Sequence, residues 1–410
     1  MMHRNRRNVR LLGVGFLLIF FGFDGFQQYV TTYFQHLGST HVGFLSLVLV
    51  YLAFMVGSLP AASVVTRLDA KRSMIIAVTA YALYGFSLLT EAPGVILAAS
   101  ATLGAAGAVL RTAQSAYLIR ASDAATYGAD AGRFATMFAI GAASGVLLLG
   151  ILIPHIGFHT GLAAFATVPL LALVPLVRLD DLRGDIKRRD WGAAFRLLRS
   201  AAALRIAIVW FPFNFIQGFV LGVVPLKIGE VFGVIPAVGV IVGMFYLAPV
   251  LTAYAFGALS DRIGRNGMAT ATFRLSVVGL ALLAIASTPT LLVLAIVILA
   301  VNFGLGRTIT FALVGDISSE TTLDPLSALT WFMQSIALTS AFVLPLIIKN
   351  NALHLTAQRQ SASRTSSTIR FAERCTSNSG CALRTNATDS TRPHSASLRG
   401  CSSLRVTPPA

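Results

Sequence analysis

The sequence predicts an all-α polytopic membrane protein, built from two repeated six-helix halves with about eleven spans present. Three observations predict it. Only 12% of the 410 residues are charged and 55% are hydrophobic, whereas a soluble domain carries about 25% charged residues. The apolar residues fall in runs of roughly 20, the length of helix needed to cross a hydrocarbon core ~30 Å thick. Polar landmarks of the first half recur, in order, in the second. Only helices and closed barrels satisfy their own backbone in lipid, and these runs are too long and continuous for barrel strands.

Hydropathy places the spans at about 11–36, 42–65, 73–90, 94–119, 133–154, 158–177, 205–228, 235–259, 268–287, 290–313 and 325–348. The first follows Arg4, Arg6, Arg7 and Arg10 and so imitates a secretory leader. Its apolar run continues to Phe34 with no small-residue cleavage site after it, so it reads as a retained span. Short breaks such as Glu91-Ala-Pro93-Gly94 and Ser287-Thr-Pro289-Thr290 separate most of the others. Residues 178–204 differ, with Arg183, Lys187, Arg188, Arg189 and Asp190 among their charges. This basic linker divides residues 1–177, a six-helix half, from 205–348, a half with five spans.

Net charge is +16. The basic residues sit between the apolar runs and in a tail, which argues for topology signals and against nucleic acid. With a cytoplasmic N-terminus, inside segments up to residue 324 hold about 20 Lys and Arg, and outside loops hold Lys227 alone. That expectation gives a multi-pass protein of the cell membrane. Cys375, Cys381 and Cys401 all lie in the last 36 residues, so no disulfide frame or metal cluster is expected in the membrane part.

The repeat is carried by Phe21-Gly-Phe23-Asp24-x-x-Gln27 against Phe211-Pro-Phe213-Asn214-x-x-Gln217, and by Arg111-Thr112 against Arg307-Thr308. It is also carried by Arg67-Leu-Asp69-Ala-Lys71-Arg72 against Asp261-Arg262-Ile-Gly264-Arg265. The offsets are 190 to 196. Duplicated halves of this kind are a known transporter plan.

Gly257-Ala-Leu-Ser-Asp261-Arg262-Ile-Gly264-Arg265 resembles the G-x-x-x-D-R-x-G-R signature of the major facilitator superfamily, the twelve-helix secondary transporters. The resemblance implies a gate latch in the cytoplasmic loop between helices 8 and 9, made of Gly257, Asp261, Arg262, Gly264 and Arg265. In the first-half loop Thr66 fills the Asp position, Asp69 the Gly position and Ala70 the Arg position. Residues 8–120, through Phe23-Asp24-x-x-Gln27-Gln28, Tyr51-Leu-Ala-Phe54 and Thr112-Ala-Gln114-Ser-Ala-Tyr117, are similar to a different branch. That branch comprises animal potassium-channel regulators and Toll-receptor trafficking proteins. It implies a non-transporting membrane regulator with a partner membrane protein as the alternative function.

Charged side chains inside a membrane are costly and usually face water or a partner. Asp24 lies ~20 Å into the first span at 1.5 Å per residue. Arg111 and Arg307 lie within the fourth and tenth spans. Gln27, Gln114, Asn214, Gln217 and Asn302 add polar groups at similar depth. These positions fall on spans 1, 4, 7 and 10, the four helices that line the central cavity in the family. The expected function is therefore a secondary or facilitative transporter for a small solute, with a proton or other ion as coupling partner. Asp24 is expected either to pair with Arg111 or to carry the proton. Gly141-x-x-x-Gly145 is expected to pack helices closely. No Walker motif, nucleophile–base pair or metal-ligand cluster is present in the sequence, so neither enzyme chemistry nor a cofactor is expected.

The family plan predicts a twelfth helix after residue 350. Residues 351–410 instead hold eight Arg among many Ser and Thr, with no apolar run. The expectation is a Ser/Thr/Arg-rich disordered tail over 349–410, either produced by a shift of reading frame that replaces the last helix or a genuine tail, and an inactive truncated product is a third functional reading.

Overall fold

The computed structural model describes residues 2–122, 127–182, 200–317 and 330–347. The tail 349–410 with its cysteines and the place of a twelfth helix lie outside the described residues. So do 183–199 of the linker and the chain just before the eleventh span.

The described residues form thirteen helices and no strand. These are α1 Met2–Gln27, α2 Val30–His36, α3 Thr40–Leu68, α4 Ala70–Leu88, α5 Pro93–Ala121, α6 Tyr127–Leu171 and α7 Leu173–Val177. There follow α8 Ala201–Gly222, α9 Val224–Phe232, α10 Ile235–Ile263, α11 Arg265–Ile285 and α12 Pro289–Ile317, then α13 Thr330–Ile347. Proline opens α5 and α12 at the first turn, where its missing N–H costs no hydrogen bond.

The two halves repeat in the backbone more closely than in the side chains. Helices α3 and α10 have 29 residues each, as do α5 and α12. Left-handed residues punctuate both halves at matching places: Gly38 and Gly233 at φ 72° and 68°, Asp69 and Gly264 at φ 71° and 83°. Each pair is separated by 195 residues. Spans 1 and 7 are both interrupted near one end: α1 gives way to α2, and α8 bends by 48° into α9.

Seven described helices are long and apolar enough to cross a bilayer alone, or eight if the bent pair α8–α9 is one span. The sequence predicts more passes. Helix α6 contains two passes, because the chain reverses at Gly157 (φ 77°, ψ 164°). Before the reversal Met137, Gly141 and Gly145 pack in ascending order on Gly13, Leu17 and Phe21 of α1. After it Phe165, Pro169 and Leu176 pack in descending order on Gly25, Gly22 and Gly15. Helix α4 opens on Lys71-Arg72, whose charges lower its hydropathy, and the side chains of α10 are described only in part beyond Ala248.

Among the described residues the main core cluster is aromatic-rich and runs through both halves, with Phe16, Phe26, Tyr29, Phe213, Phe245, Phe303 and Phe342 fully buried, beside a smaller cluster of Met268, Leu305 and Ile309. Outward-facing Ile76, Leu83, Met244, Leu251 and Ile285 are exposed, an apolar belt that water would not tolerate and lipid covers. Close packing depends on glycine. A Cβ on Gly141 or Gly145 would collide with the backbone of Leu17 or Phe21. Between the halves, Gly150 of α6 approaches Gly239 of α10 backbone to backbone.

Candidate functional site

Helices from both halves enclose one cavity, with an empty volume of about 990 Å³, its open mouth included. Asp24 and Gln27 reach it from α1, Arg111 from α5, Asn214 and Gln217 from α8, and Arg307 from α12. These six sequence-predicted residues are brought together from four helices distant in sequence.

Gln114 and Asn302 are not among the lining residues. Gln114 is buried one turn beyond Arg111. Asn302 lies five residues from Arg307, about 140° around the helix, and faces α11. There its Nδ2 donates to the Ser276 hydroxyl at 3.1 Å.

The expected Asp24–Arg111 ion pair does not form: among the described residues no ion-pair nitrogen lies within 4.0 Å of the Asp24 carboxylate. The Arg111 guanidinium is instead boxed by aromatic rings. Its carbon lies 4.6 Å from the centroid of Phe20, 4.7 Å from Phe138 and 5.1 Å from Trp331. Such contacts contribute ~0.5–2 kcal/mol each when desolvated. Phe20 and Phe138 belong to the first half and Trp331 to the second. Arg307 sits 5.7 Å from the Phe303 ring.

Sequence reasoning missed this box. Aromatic residues are scattered across every span, and nothing in their spacing marks which three converge. Tyr81, Trp210, Tyr246, Gln334 and Ser335 also line the cavity unanticipated.

The amides play different parts. Gln27 Nε2 donates to the Tyr51 hydroxyl at 3.4 Å, while its Oε1 has no partner in the structure. Asn214 Nδ2 donates to the Trp210 carbonyl one turn back at 2.8 Å. Gln28, beside the cavity residue Gln27 in the turn between α1 and α2, donates to the Val220 carbonyl at 2.8 Å and so ties that turn to α8 across the halves. Tyr29 donates to the Val146 carbonyl at 3.0 Å.

In the resembled gate motif, α10 ends at Ile263 and α11 begins at Arg265, with Gly264 between at φ 83°, ψ 158°. Only glycine adopts that region without strain, which explains one fixed position of the signature. The side chains of Asp261, Arg262 and Arg265, and the surroundings of Gly257, lie outside the described residues.

The corresponding first-half turn is described in full. Asp69 pairs with Arg120 of α5 at 3.6 Å, and Arg120 donates to the Leu182 carbonyl at 3.1 Å. Asn8 exchanges two hydrogen bonds with Asp180, at 3.0 and 3.2 Å. Tyr117 donates to the Asp180 carbonyl at 2.9 Å, and Lys71 pairs with Asp181 at 3.4 Å. The start of the linker is thereby pinned beneath the first half.

Comparison with known proteins bears on this arrangement. The profile of the Major Facilitator Superfamily matches residues 12–342. Among curated relatives, the UNC93-like protein MFSD11 of Xenopus laevis is 32% identical over 134 residues, which is 32% of this chain and 30% of the relative. UNC93-like protein 3 of Arabidopsis thaliana is 31% identical over 134 residues, 32% of this chain and 28% of that protein. The matches thus span about a third of the length of these relatives. A solved POT family transporter in complex with 5-aminolevulinic acid aligns with a TM-score of 0.66 at 14% identity, over 84% of this chain and 91% of that one. Another, in complex with a thioalcohol-conjugated peptide, aligns with a TM-score of 0.65 at the same identity and coverage. On the family match, extending over most of the chain and joined to a repeated helical fold around one central cavity, this protein belongs to the Major Facilitator Superfamily.

Proposed function

We propose that the chain is a membrane transporter that moves a small solute by alternating access, with the halves 1–177 and 205–348 rocking around the cavity of Asp24, Arg111 and Arg307. The single observation that carries this reading is the cavity itself: charged and amide side chains from α1, α5, α8 and α12 meet between the two halves. Charge inside a membrane is costly, and a site shared by two repeats is where such folds bind solute. The names of the structural neighbours, transporters bound to small polar molecules, agree with it.

The basic loops support a cytoplasmic N-terminus, and the membrane in this reading is the cell membrane. In that orientation the Gln28–Val220 bond and the Gly150–Gly239 approach lie toward the outer side, and the clasp of Asp69, Arg120 and Asp180 lies inside. Gly257, Asp261, Arg262, Gly264 and Arg265 act in this reading as the inner gate latch of the second half. Asp24 is the coupling group if a proton is carried. In that case Asp24→Asn abolishes the pH dependence of uptake, and uptake that keeps its full pH dependence refutes the role.

Reconstitution of the purified chain into proteoliposomes, with flux measured for a solute panel, tests the transport reading. A second reading is favoured by the first half, whose similarity to UNC93-like proteins points to regulation of a partner membrane protein. A protein that binds no solute but co-purifies with a defined channel or receptor subunit would support that reading.

A further inference from the structure

We propose that the cavity takes an amphoteric solute, one bearing an ammonium donor and a carboxylate beside a flat apolar body, and that this solute completes the interrupted Asp24–Arg111 pair. The proposal rests on reading this cavity as the solute site.

Asp24 and Arg111 line the same cavity, yet neither satisfies the other. Phe20, Phe138 and Trp331 lie 4.6 to 5.1 Å from the Arg111 guanidinium carbon. Rings offer the cation no hydrogen-bond acceptor for its N–H donors. No acceptor within the described residues meets them. The Asp24 carboxylate likewise accepts no side-chain or backbone donor among the described residues, although the residue is only 8% exposed. Both charged groups open onto the cavity, where a charge-assisted hydrogen bond to an occupant is about twice as strong as a neutral one.

An occupant that relieves both must offer an acceptor to one and a donor to the other. A carboxylate matches the planar fork of arginine. An ammonium matches Asp24. A plain acid would leave Asp24 unmet, and a plain amine would leave Arg111 unmet while adding a third cation beside Arg111 and Arg307. The body of the solute meets aromatic walls, for eleven of the 23 lining residues are Phe, Tyr or Trp. Flat apolar groups pack well against such faces. Because Trp331 of the second half closes the box on a first-half arginine, an anion docked at the edge of Arg111 is sensed by both halves.

The test uses the purified full chain in detergent and three matched probes: L-phenylalanine, 3-phenylpropionate, which lacks the amine, and 2-phenylethylamine, which lacks the carboxylate. Calorimetric titration is expected to rank phenylalanine at least about tenfold tighter than either, one charge-assisted contact being worth that much. Asp24→Asn is expected to erase its advantage over the acid, and Arg111→Gln its advantage over the amine. The wild-type ranking decides the matter even if a variant fails to fold. The inference is overturned if the acid or the amine alone binds as tightly as the amino acid, or if none of the three binds. Binding ranks address the inference and proteoliposome flux addresses transport, so the two fail separately.

Discussion

The turn joining α3 to α4 and the turn joining α10 to α11 have the same backbone and different chemistry. Asp69 and Gly264 stand 195 residues apart, at φ 71°, ψ 153° and φ 83°, ψ 158°. Glycine occupies this region freely, whereas a residue with a Cβ is strained there by ~1–3 kcal/mol. The first half tolerates that strain where the Asp69 carboxylate meets Arg120, which also holds the linker carbonyl of Leu182. The repeat preserves path, while each half has turned the same bend to its own use. The cavity shows the same divergence: Arg111 is boxed by three rings and its counterpart Arg307 lies near one.

The largest expected effect breaks the comparison at the arginines. Arg111→Gln lowers kcat/KM for the transported solute about 100-fold, the value of one or two charge-assisted hydrogen bonds. Arg307→Gln lowers it less, and an equal loss in proteoliposome uptake would mean that the unequal boxes carry no functional asymmetry.

Next in size is the packing on which the first half depends. Gly145→Leu drives a side chain into the Phe21 backbone and should destabilise the chain by roughly 3 kcal/mol. Thermal unfolding in detergent reads this as a large fall in Tm, and an unchanged Tm would show that α1 and α6 can part without cost.

The two turns then give a matched pair. Gly264→Ala imposes the strain that Asp69 already bears, and is expected to destabilise by about 1–2 kcal/mol. Asp69→Gly removes it and loses a partly exposed ion pair worth ~0–1 kcal/mol, so a net gain of about 1 kcal/mol is expected. If both substitutions shift Tm in the same direction, the strain argument is wrong. The smallest effect is at Lys227, whose pairing with Glu230 at 3.8 Å is mostly solvated. Lys227→Ala should change stability by less than about 0.5 kcal/mol in the same assay.

Much of the fold was legible in the sequence because lipid imposes a one-dimensional rule: a helix that spans must be apolar along its whole length. The same rule makes exceptions conspicuous, and Asp24, Arg111 and Arg307 were visible for that reason. The rule failed at Gln114 and Asn302, which are polar at similar depth but turned toward protein rather than cavity. Depth can be counted from a span's end, whereas the direction in which a side chain points depends on how each helix is rotated. Asp69 was recognisable as the residue standing at the glycine position of a repeated motif, but its strain and its hold on Arg120 were not.

By itself, then, the sequence determined the class of protein, the order of the spans, the repeat near 195 residues and the few charges that lipid would not accept. The tertiary structure alone decided which of those charges share a cavity, that Asp24 and Arg111 stand apart, and that Trp331 from the other half closes on Arg111. The physical reason is one of range. Hydropathy and helix periodicity act along the chain, whereas the contact of Trp331 with Arg111 joins residues 220 apart, where only packing fixes the distance.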